Sequence, residues 1–298
     1  MELKTLNTFI EIAQSKPKRT IAVSAAEDLA VLQAISAAVN ADIVSAVLIG
    51  DVEKIKQYAD EIEFDISKVQ VINEPEPIKS AKYAVKLVRE GNAHILMKGL
   101  IQTADFLRAV LDKECGLRTG SLLSHIGFFE LEHYHKVIAL TDAAQNTFPE
   151  LGEKVQIIQN SVNMFHRLGV DNPKVALLAA IEGVNPKMPN TMDAAAITMM
   201  NRRGQIKGCL IDGPLAMDLA VSAEAAHHKG IESEVCGNTD ILFAPNIEVA
   251  NVIYKTFSYL CGASAAACII GAAAPIVLTS RADSENTKLL SIALTAAV

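Results

Sequence analysis

No Cys-x-x-Cys pair occurs in this sequence, and its five cysteines (Cys115, Cys209, Cys236, Cys261 and Cys268) are scattered and odd in number. That pattern excludes a disulfide framework and a cysteine-built zinc site, and it suits a reduced, cytoplasmic chain. Gly-x-Gly-x-x-Gly, Gly-x-x-x-x-Gly-Lys-Ser/Thr and Gly-x-Ser-x-Gly are equally absent. Dinucleotide binding, a P-loop and a nucleophile elbow therefore have no local support. His133, His135, His227 and His228 stand without carboxylates or cysteines at metal spacing, so they read as surface histidines and no metal site is expected. Positive charge is short as well. The 298 residues include 27 Lys+Arg against 34 Asp+Glu, a net charge of -7. That balance argues against nucleic acid or an acidic membrane as partner, and any anionic ligand must be drawn by local cations.

What is present is a globular composition, 50% hydrophobic and 20% charged, with length enough for two domains. The opening stretch MELKTLNTFIEIAQSKPKRT contains Glu2 and Glu11 and lacks a secretory h-region. Residues 258–280, SYLCGASAAACIIGAAAPIVLTS, carry no formal charge and reach spanning length. Their alanines, glycines and Pro275 predict a buried small-residue helix followed by a strand, not a membrane span.

Short β-branched runs alternate with amphipathic stretches almost throughout. Strands are predicted at 20–24, 43–50, 69–72, 94–98, 136–141, 174–180, 207–212, 240–244 and 275–279. Helices are predicted near 27–40, 51–61, 76–91, 103–113, 151–168, 189–203, 215–228, 246–261 and 285–297. Such alternation marks an α/β fold with largely parallel sheets. Residues 119–142 depart from it, reading as a hairpin joined by ELEHYH, a natural place for a change of domain.

Chemistry gathers where strands end. PIVL (275–278) breaks into Thr279, Ser280, Arg281, Ala282, Asp283 and Ser284, and either Asp283 or Ser284 can cap the helix that follows. Crevices beyond the carboxyl ends of strands bind ligands in open α/β sheets, and a helix N-terminus there favours anions. LMKGLIQTADFLRAVL ends a strand at Lys98-Gly99, places Thr103 where an N-cap belongs, and puts Asp105 in the first turn. In KECGLRTG, Arg118 follows a helix end expected at Gly116. CLIDGPLAMD ends another strand at Asp212-Gly213-Pro214, with the proline at a helix start. DILFAPNIEVANVIYKTF stops at Pro245, lets Asn246 cap, and sets Asn251 and Lys255 on one helix face, with Ile247, Val252 and Phe257 as core. Each piece alone has a plain reading as a turn, a cap or a solvated charge.

In order, HILMKGLIQTADFLRAVL, CGLRTGSLLSH, LIDGPLAMDLAVS, GNTDILFAPNIEVANVIYK and PIVLTSRADS resemble the phosphate acetyl/butyryltransferase family, its butyryl branch above all. The resemblance covers roughly the last two-thirds of the chain. It implies two α/β/α domains of the isocitrate/isopropylmalate dehydrogenase-like architecture, with the active site in the interdomain cleft. Domain 1 would be residues 1–122, domain 2 residues 123–269, and residues 270–298 a strand and helix returning to domain 1. A homo-oligomer is implied too, with no tightly bound cofactor and with coenzyme A and phosphate as substrates or products.

The implied reaction turns a short-chain acyl-CoA, butyryl-CoA favoured, and inorganic phosphate into acyl phosphate and CoA, reversibly. The family's Ser-Arg pair matches Ser280-Arg281, the catalytic pair, and its basic and hydroxyl groups match Thr103, Arg118, Tyr254 and Lys255. Lys98 and Asn251 join them as substrate-binding candidates. An arginine fork can grip two phosphate oxygens, while a hydroxyl and helix N–H groups stabilise charge on the thioester oxygen. The acetyl branch carries an aspartate base seven residues after the serine, where this chain has Thr287. Asp283, the nearest carboxylate, either takes that role or caps the helix. The alternatives are acetyl-CoA as substrate, a hydride-transferring dehydrogenase on the same architecture, or a non-catalytic acyl-CoA or phosphate binder.

Overall fold

The structure is a computed structural model that describes residues 1–279 and 283–298. The chain divides into two compact units, one of Asn7–Ser121 with Ala266–Val298, the other of Leu122–Ala265 with Met1–Leu6.

The first unit opens with α1 (Asn7–Ser15), a helix the sequence reading did not predict. It continues through β1 (Arg19–Ser24), α2 (Leu29–Asn40), β2 (Val44–Gly50), α3 (Val52–Glu61), β3 (Gln70–Asn73), α4 (Pro77–Arg89), β4 (Ile95–Lys98) and α5 (Thr103–Val110). Caps fix the helix starts. Asp28 accepts from Val31 N at 3.0 Å before α2, and Asp51 accepts from Glu53 N and Lys54 N before α3. Pro77 opens α4, whose Ser80, Ala81, Ala84, Val85 and Val88 form a buried stripe at helical spacing.

The second unit contains β5 (Ser124–Glu130), β6 (Ile138–Thr141), α6 (Leu151–Arg167), β7 (Lys174–Leu178), α7 (Pro189–Arg202), β8 (Leu210–Leu215), α8 (Met217–Val221), α9 (Ala223–His228), β9 (Ile241–Phe243) and α10 (Ile247–Lys255). Its strand order is β5-β6-β9-β7-β8, with β5 and β6 forming the expected antiparallel hairpin and the other pairs parallel. A buried ion pair ties the amino ends of its strands together. Lys136 Nζ lies 2.6 Å from Asp240 Oδ1 and donates to Asn238 O at 2.9 Å, while Asp240 Oδ2 accepts from Lys174 N at 2.8 Å.

The chain then supplies β10 (Ser264–Ile270), β11 (Ile276–Val277) and α11 (Glu285–Ala296). In the first unit the order is β3-β2-β1-β4-β11-β10, parallel except where β11 meets β10. The helix α11 is buried almost all round, from Lys288 to Ala296. Ser291 and Thr295 satisfy their hydroxyls on carbonyls of the preceding turn, and Ser291 Oγ also accepts from Ala267 N of β10 at 2.9 Å. Among the described residues, no helix is long and apolar enough to cross a membrane.

Several expectations are corrected. The Ala-rich stretch predicted as a helix after residue 258 is instead the strand β10, buried from Ala265 to Ile270. Alanine is the best helix former, but that preference is worth less than about 1 kcal/mol per residue, and a fully buried position in a sheet overrides it. Pro214 does not start a helix. It lies within β8, the last strand of its sheet, where a missing N–H is tolerated. Gly213 is required beside it, since a Cβ there would sit 2.5 Å from Leu177 Cβ. The single helix predicted over 215–228 breaks at Ser222, whose hydroxyl caps the next helix by accepting from Ala225 N at 3.1 Å. The helix predicted over 246–261 ends at Lys255 and passes into a π-turn, Thr256–Leu260. Val252, assigned to its core, is 66% exposed, and Ala250 and Tyr254 are buried instead.

Candidate active site

In the first unit the carboxyl ends of β1, β4 and β11 lie side by side, in registers that pair Ser24 with Lys98 and Val277 with Met97. The loops leaving β1 and β4 are stitched together, Gly99 N donating to Ser24 O at 2.9 Å and Leu100 N to Ala25 O at 2.7 Å. This approach demands glycine, because a Cβ on residue 99 would lie 2.2 Å from Ala25 O. Lys98 is half-buried, and its ammonium donates to the carbonyls of Gly99 and Ile101, each at 3.1 Å. The strand-end cation thus braces the loop that follows it. Thr103 is exposed and is the first residue of α5, not its cap; Gln102 occupies the cap position without a side-chain bond. Phe106 N donates to Gln102 O at 3.0 Å, so the first helical turn closes one residue earlier than expected.

Arg118 does not follow a helix end directly, since α5 stops at Val110. Its backbone forms an antiparallel bridge with Ala272, Ala273 N donates to Leu117 O at 2.9 Å, and Thr119 Oγ1 donates to Gly271 O at 2.6 Å. The exposed arginine is therefore anchored to the segment leading into β11. Ser280 and Arg281 lie outside the described residues. Beyond them Ser284, not Asp283, caps α11, accepting from Thr287 N at 3.1 Å. Lys288 is buried and its ammonium donates to the Asp283 carbonyl.

Asn251, Tyr254 and Lys255 belong to the second unit, on α10. Asn246 caps that helix as predicted, accepting from Val249 N at 3.0 Å. Asn251 Nδ2 donates to Ala143 O at 3.1 Å. Tyr254 is buried, its ring edge-on to Phe129 and His125, and the exposed Lys255 ammonium lies 5.5 Å from the ring centroids of Tyr254 and Tyr259.

Asn251 leads to a feature the sequence reading passed over. Asp142, just past the end of β6, is buried, and its carboxylate gathers a whole loop. Oδ1 accepts from Ala144 N and Gln145 N at 3.0 Å, while Oδ2 accepts from Asn146 N at 3.2 Å and Asn146 Nδ2 at 2.5 Å. Ile247 N in turn donates to Thr147 O at 3.1 Å, so the loop holds the start of α10. The signal was available: VIALT breaks into DAAQN as abruptly as PIVLT breaks into SRADS.

The three buried thiols contribute little reactivity. Burial pushes Cys209 up to about 11 and Cys268 up to about 12, and it also raises Cys236.

The family model "Phosphate acetyl/butaryl transferase" matches residues 5–86 and 76–296. The chain belongs to this family. A phosphate butyryltransferase of Clostridium acetobutylicum is 49% identical over 296 residues, covering 99% of this chain and 98% of the relative. A phosphate acetyltransferase of Thermotoga maritima is 43% identical over 98% of each chain. Among solved structures, a branched-chain phosphotransacylase from Enterococcus faecalis superposes with a TM-score of 0.83 at 31% identity, covering 94% of this chain and 98% of that one. The matching spans thus run well beyond the two-thirds of the chain on which the resemblance was first seen, and the mixed α/β fold with mostly parallel sheets is that of the family's phosphotransacylases.

Proposed function

We propose that this chain is a phosphate acyltransferase that converts butyryl-CoA, or a similar short-chain acyl-CoA, and inorganic phosphate into acyl phosphate and CoA, reversibly. The observation that carries it is the 49% identity, over nearly the full length of both chains, to a phosphate butyryltransferase. In the forward direction a phosphate oxygen attacks the thioester carbonyl, the carbon–sulfur bond breaks, and the CoA thiolate leaves and takes up a proton. Coenzyme A and phosphate enter as substrates or products, with no tightly bound cofactor.

On this reading Arg281 grips phosphate oxygens through its planar fork and Ser280 assists the thioester oxygen. Lys98, Thr103 and Arg118 supply the substrate-binding groups of the first unit, and Asn251, Tyr254 and Lys255 those of the second. The adjacency of β4 and β11 supports the first group, because Lys98 and the chain running into Ser280 leave the same end of one sheet. With Ser284 as the helix cap, Asp283 is assigned the proton transfer at the CoA sulfur; Thr287, hydrogen-bonded to Ser284, has no carboxylate to offer. An isocitrate dehydrogenase-like architecture with the chemistry in the interdomain cleft, a homo-oligomer and a cytoplasmic location are part of the same proposal, and rest on the resemblance.

The test is CoASH release from butyryl-CoA with and without phosphate, in the absence of divalent metal. Release should require phosphate; equal release without it would make the chain a thioesterase. Arg281→Lys should lower the phosphate-dependent kcat/KM by about thirty- to a thousandfold, the worth of one charge-assisted contact of about 2–4 kcal/mol in such a site. Acetyl-CoA is the second reading, favoured by the 43% identity to a phosphate acetyltransferase, and a higher kcat/KM for acetyl-CoA than for butyryl-CoA would select it.

A further inference from the structure

The second unit holds a cavity of about 410 Å³ at the carboxyl ends of its parallel strands. Leu178 closes β7, Pro245 follows β9, Met217 follows β8, Met188 precedes α7, and Val249 and Ile253 come from α10; all of them face it. The strands β7 and β9 are adjacent and parallel, but their outgoing chains diverge: β7 continues through α7 to β8, while β9 continues through α10 and leaves the unit after Ala265. Divergence of this kind opens the crevice in which α/β sheets bind ligands, and the volume lies within the range of small-molecule sites.

Its chemistry is apolar. Of the polar residues on the wall, Asn190 uses its Oδ1 to accept from Lys154 Nζ at 3.3 Å, and Lys154 is itself paired with Asp193 at 2.6 Å. Thr191 donates to the carbonyls of Asn185 and Met188 and accepts from Asn185 N at 2.9 Å. Among the described residues, no charged side chain lines the cavity. Phosphate therefore has no counter-charge here. A larger groove of about 700 Å³ between α4 and α5 is different, with a rim of Lys82, Lys86, Arg89 and Arg108 set against Glu90, Asp105 and Asp112.

We propose that the cavity bounded by Leu178, Met188, Met217, Pro245, Val249 and Ile253 receives the acyl chain of the thioester substrate and sets its preferred length. The assignment rests on the acyltransferase reading above. Met188 and Met217 in the lining give a deformable wall, suited to a chain of methylenes with no shape of its own. Each methylene accommodated should be worth about fourfold in kcat/KM.

The experiment measures phosphate-dependent CoASH release from acetyl-, butyryl- and hexanoyl-CoA, together with calorimetric binding of butyryl-CoA and of free CoA. Val249→Phe and Ile253→Phe fill the cavity, and each should cut the butyryl-to-acetyl ratio of kcat/KM at least tenfold. They should weaken butyryl-CoA binding more than CoA binding. Met217→Ala adds room, keeps the test available if a filled variant fails to fold, and should raise the hexanoyl-to-butyryl ratio at least threefold. Ratios within twofold of the parent in folded filled variants and in Met217→Ala would overturn the pocket while leaving the transferase reading intact. A parent without phosphate-dependent release sinks the transferase reading instead. The binding arm then decides the pocket: selective loss of butyryl-CoA affinity in the filled variants upholds it, and equal loss for both ligands refutes it.

Discussion

Replacing Asp142 by asparagine changes one atom and breaks half of a loop's scaffolding. The carboxylate accepts four hydrogen bonds, two at each oxygen, from Ala144 N, Gln145 N, Asn146 N and Asn146 Nδ2. Asparagine retains one oxygen, so two donors keep an acceptor and two face an NH2 group that cannot accept. The Asn146 side chain can pivot away, since its amide also donates to Leu123 O at 2.8 Å. Its backbone N–H cannot. One stranded donor costs about 1–3 kcal/mol, and losing the charge weakens the two bonds that remain, so Asp142→Asn should destabilise by about 2–4 kcal/mol. Asp142→Ala, which strands all four donors, should cost more. The assay is guanidinium unfolding of both variants against the parent, read by far-UV circular dichroism. Because the same loop receives Asn251 Nδ2 at Ala143 O and Ile247 N at Thr147 O, a loosened loop also frees the start of α10. The KM for butyryl-CoA should therefore rise alongside the loss of stability. An Asp142→Asn protein within about 0.5 kcal/mol of the parent, below the worth of one buried hydrogen bond, would refute this account of the loop.

Gly99→Ala should destabilise the first unit by about 3 kcal/mol and abolish most activity, since the new methyl meets two backbone carbonyls; a variant melting within 2 °C of the parent would show that the loops part easily. Lys136→Met leaves Asp240 charged and buried and should cost about 3–5 kcal/mol, while adding Asp240→Asn should recover part of it; a Lys136→Met protein as stable as the parent in urea would exclude an energetic role for the pair. At pH 8 a thiol reagent should label Cys115 and Cys261 quickly and leave Cys209, Cys236 and Cys268 until unfolding. Raised thiol values keep the reactive thiolate scarce until the pH approaches them, so rapid labelling of Cys268 at pH 8 would contradict its burial.

Much of the architecture was legible because parallel strands buried on both faces are written as short apolar runs. VSAVLIG, ILMK and KVALL all appear where the pattern put strands. The reading failed where local preference and tertiary position disagree. Alanines at 265–267 favour a helix locally, but their small side chains serve β10 beneath the buried helix α11, a choice set by residues some twenty positions later. Pro214 reads as a helix opener until Gly213 is seen pressed against Leu177 of the neighbouring strand. Strand ends were also legible as sites, because polar residues straight after a buried run need a reason. Lys98, Arg118 and Asn251 could be named, but their partners are carbonyls and segments elsewhere in the chain, which no spacing rule encodes. Asp142 escaped notice because its ligands are backbone N–H groups, and these have no signature in side-chain identity.

The insertion of β11 between β4 and β10 has a consequence for the order in which the protein comes into being. The residues of β1 to β4 leave the ribosome before those of the second unit's strands, but their sheet lacks its next strand until Ala266–Val298 has been made. Through all of that interval β4 presents an open edge, and the helices α1 and α2 lack α11, against which they pack. The second unit suffers no such delay, since everything from Leu122 to Ala265 is contiguous and needs only Met1–Leu6 from earlier in the chain. Birth order and completion order are thus reversed, the half whose strands are made first being finished last. A chain released after Ala265 would carry one folded body and one exposed strand edge, which is the species a chaperone would have to guard.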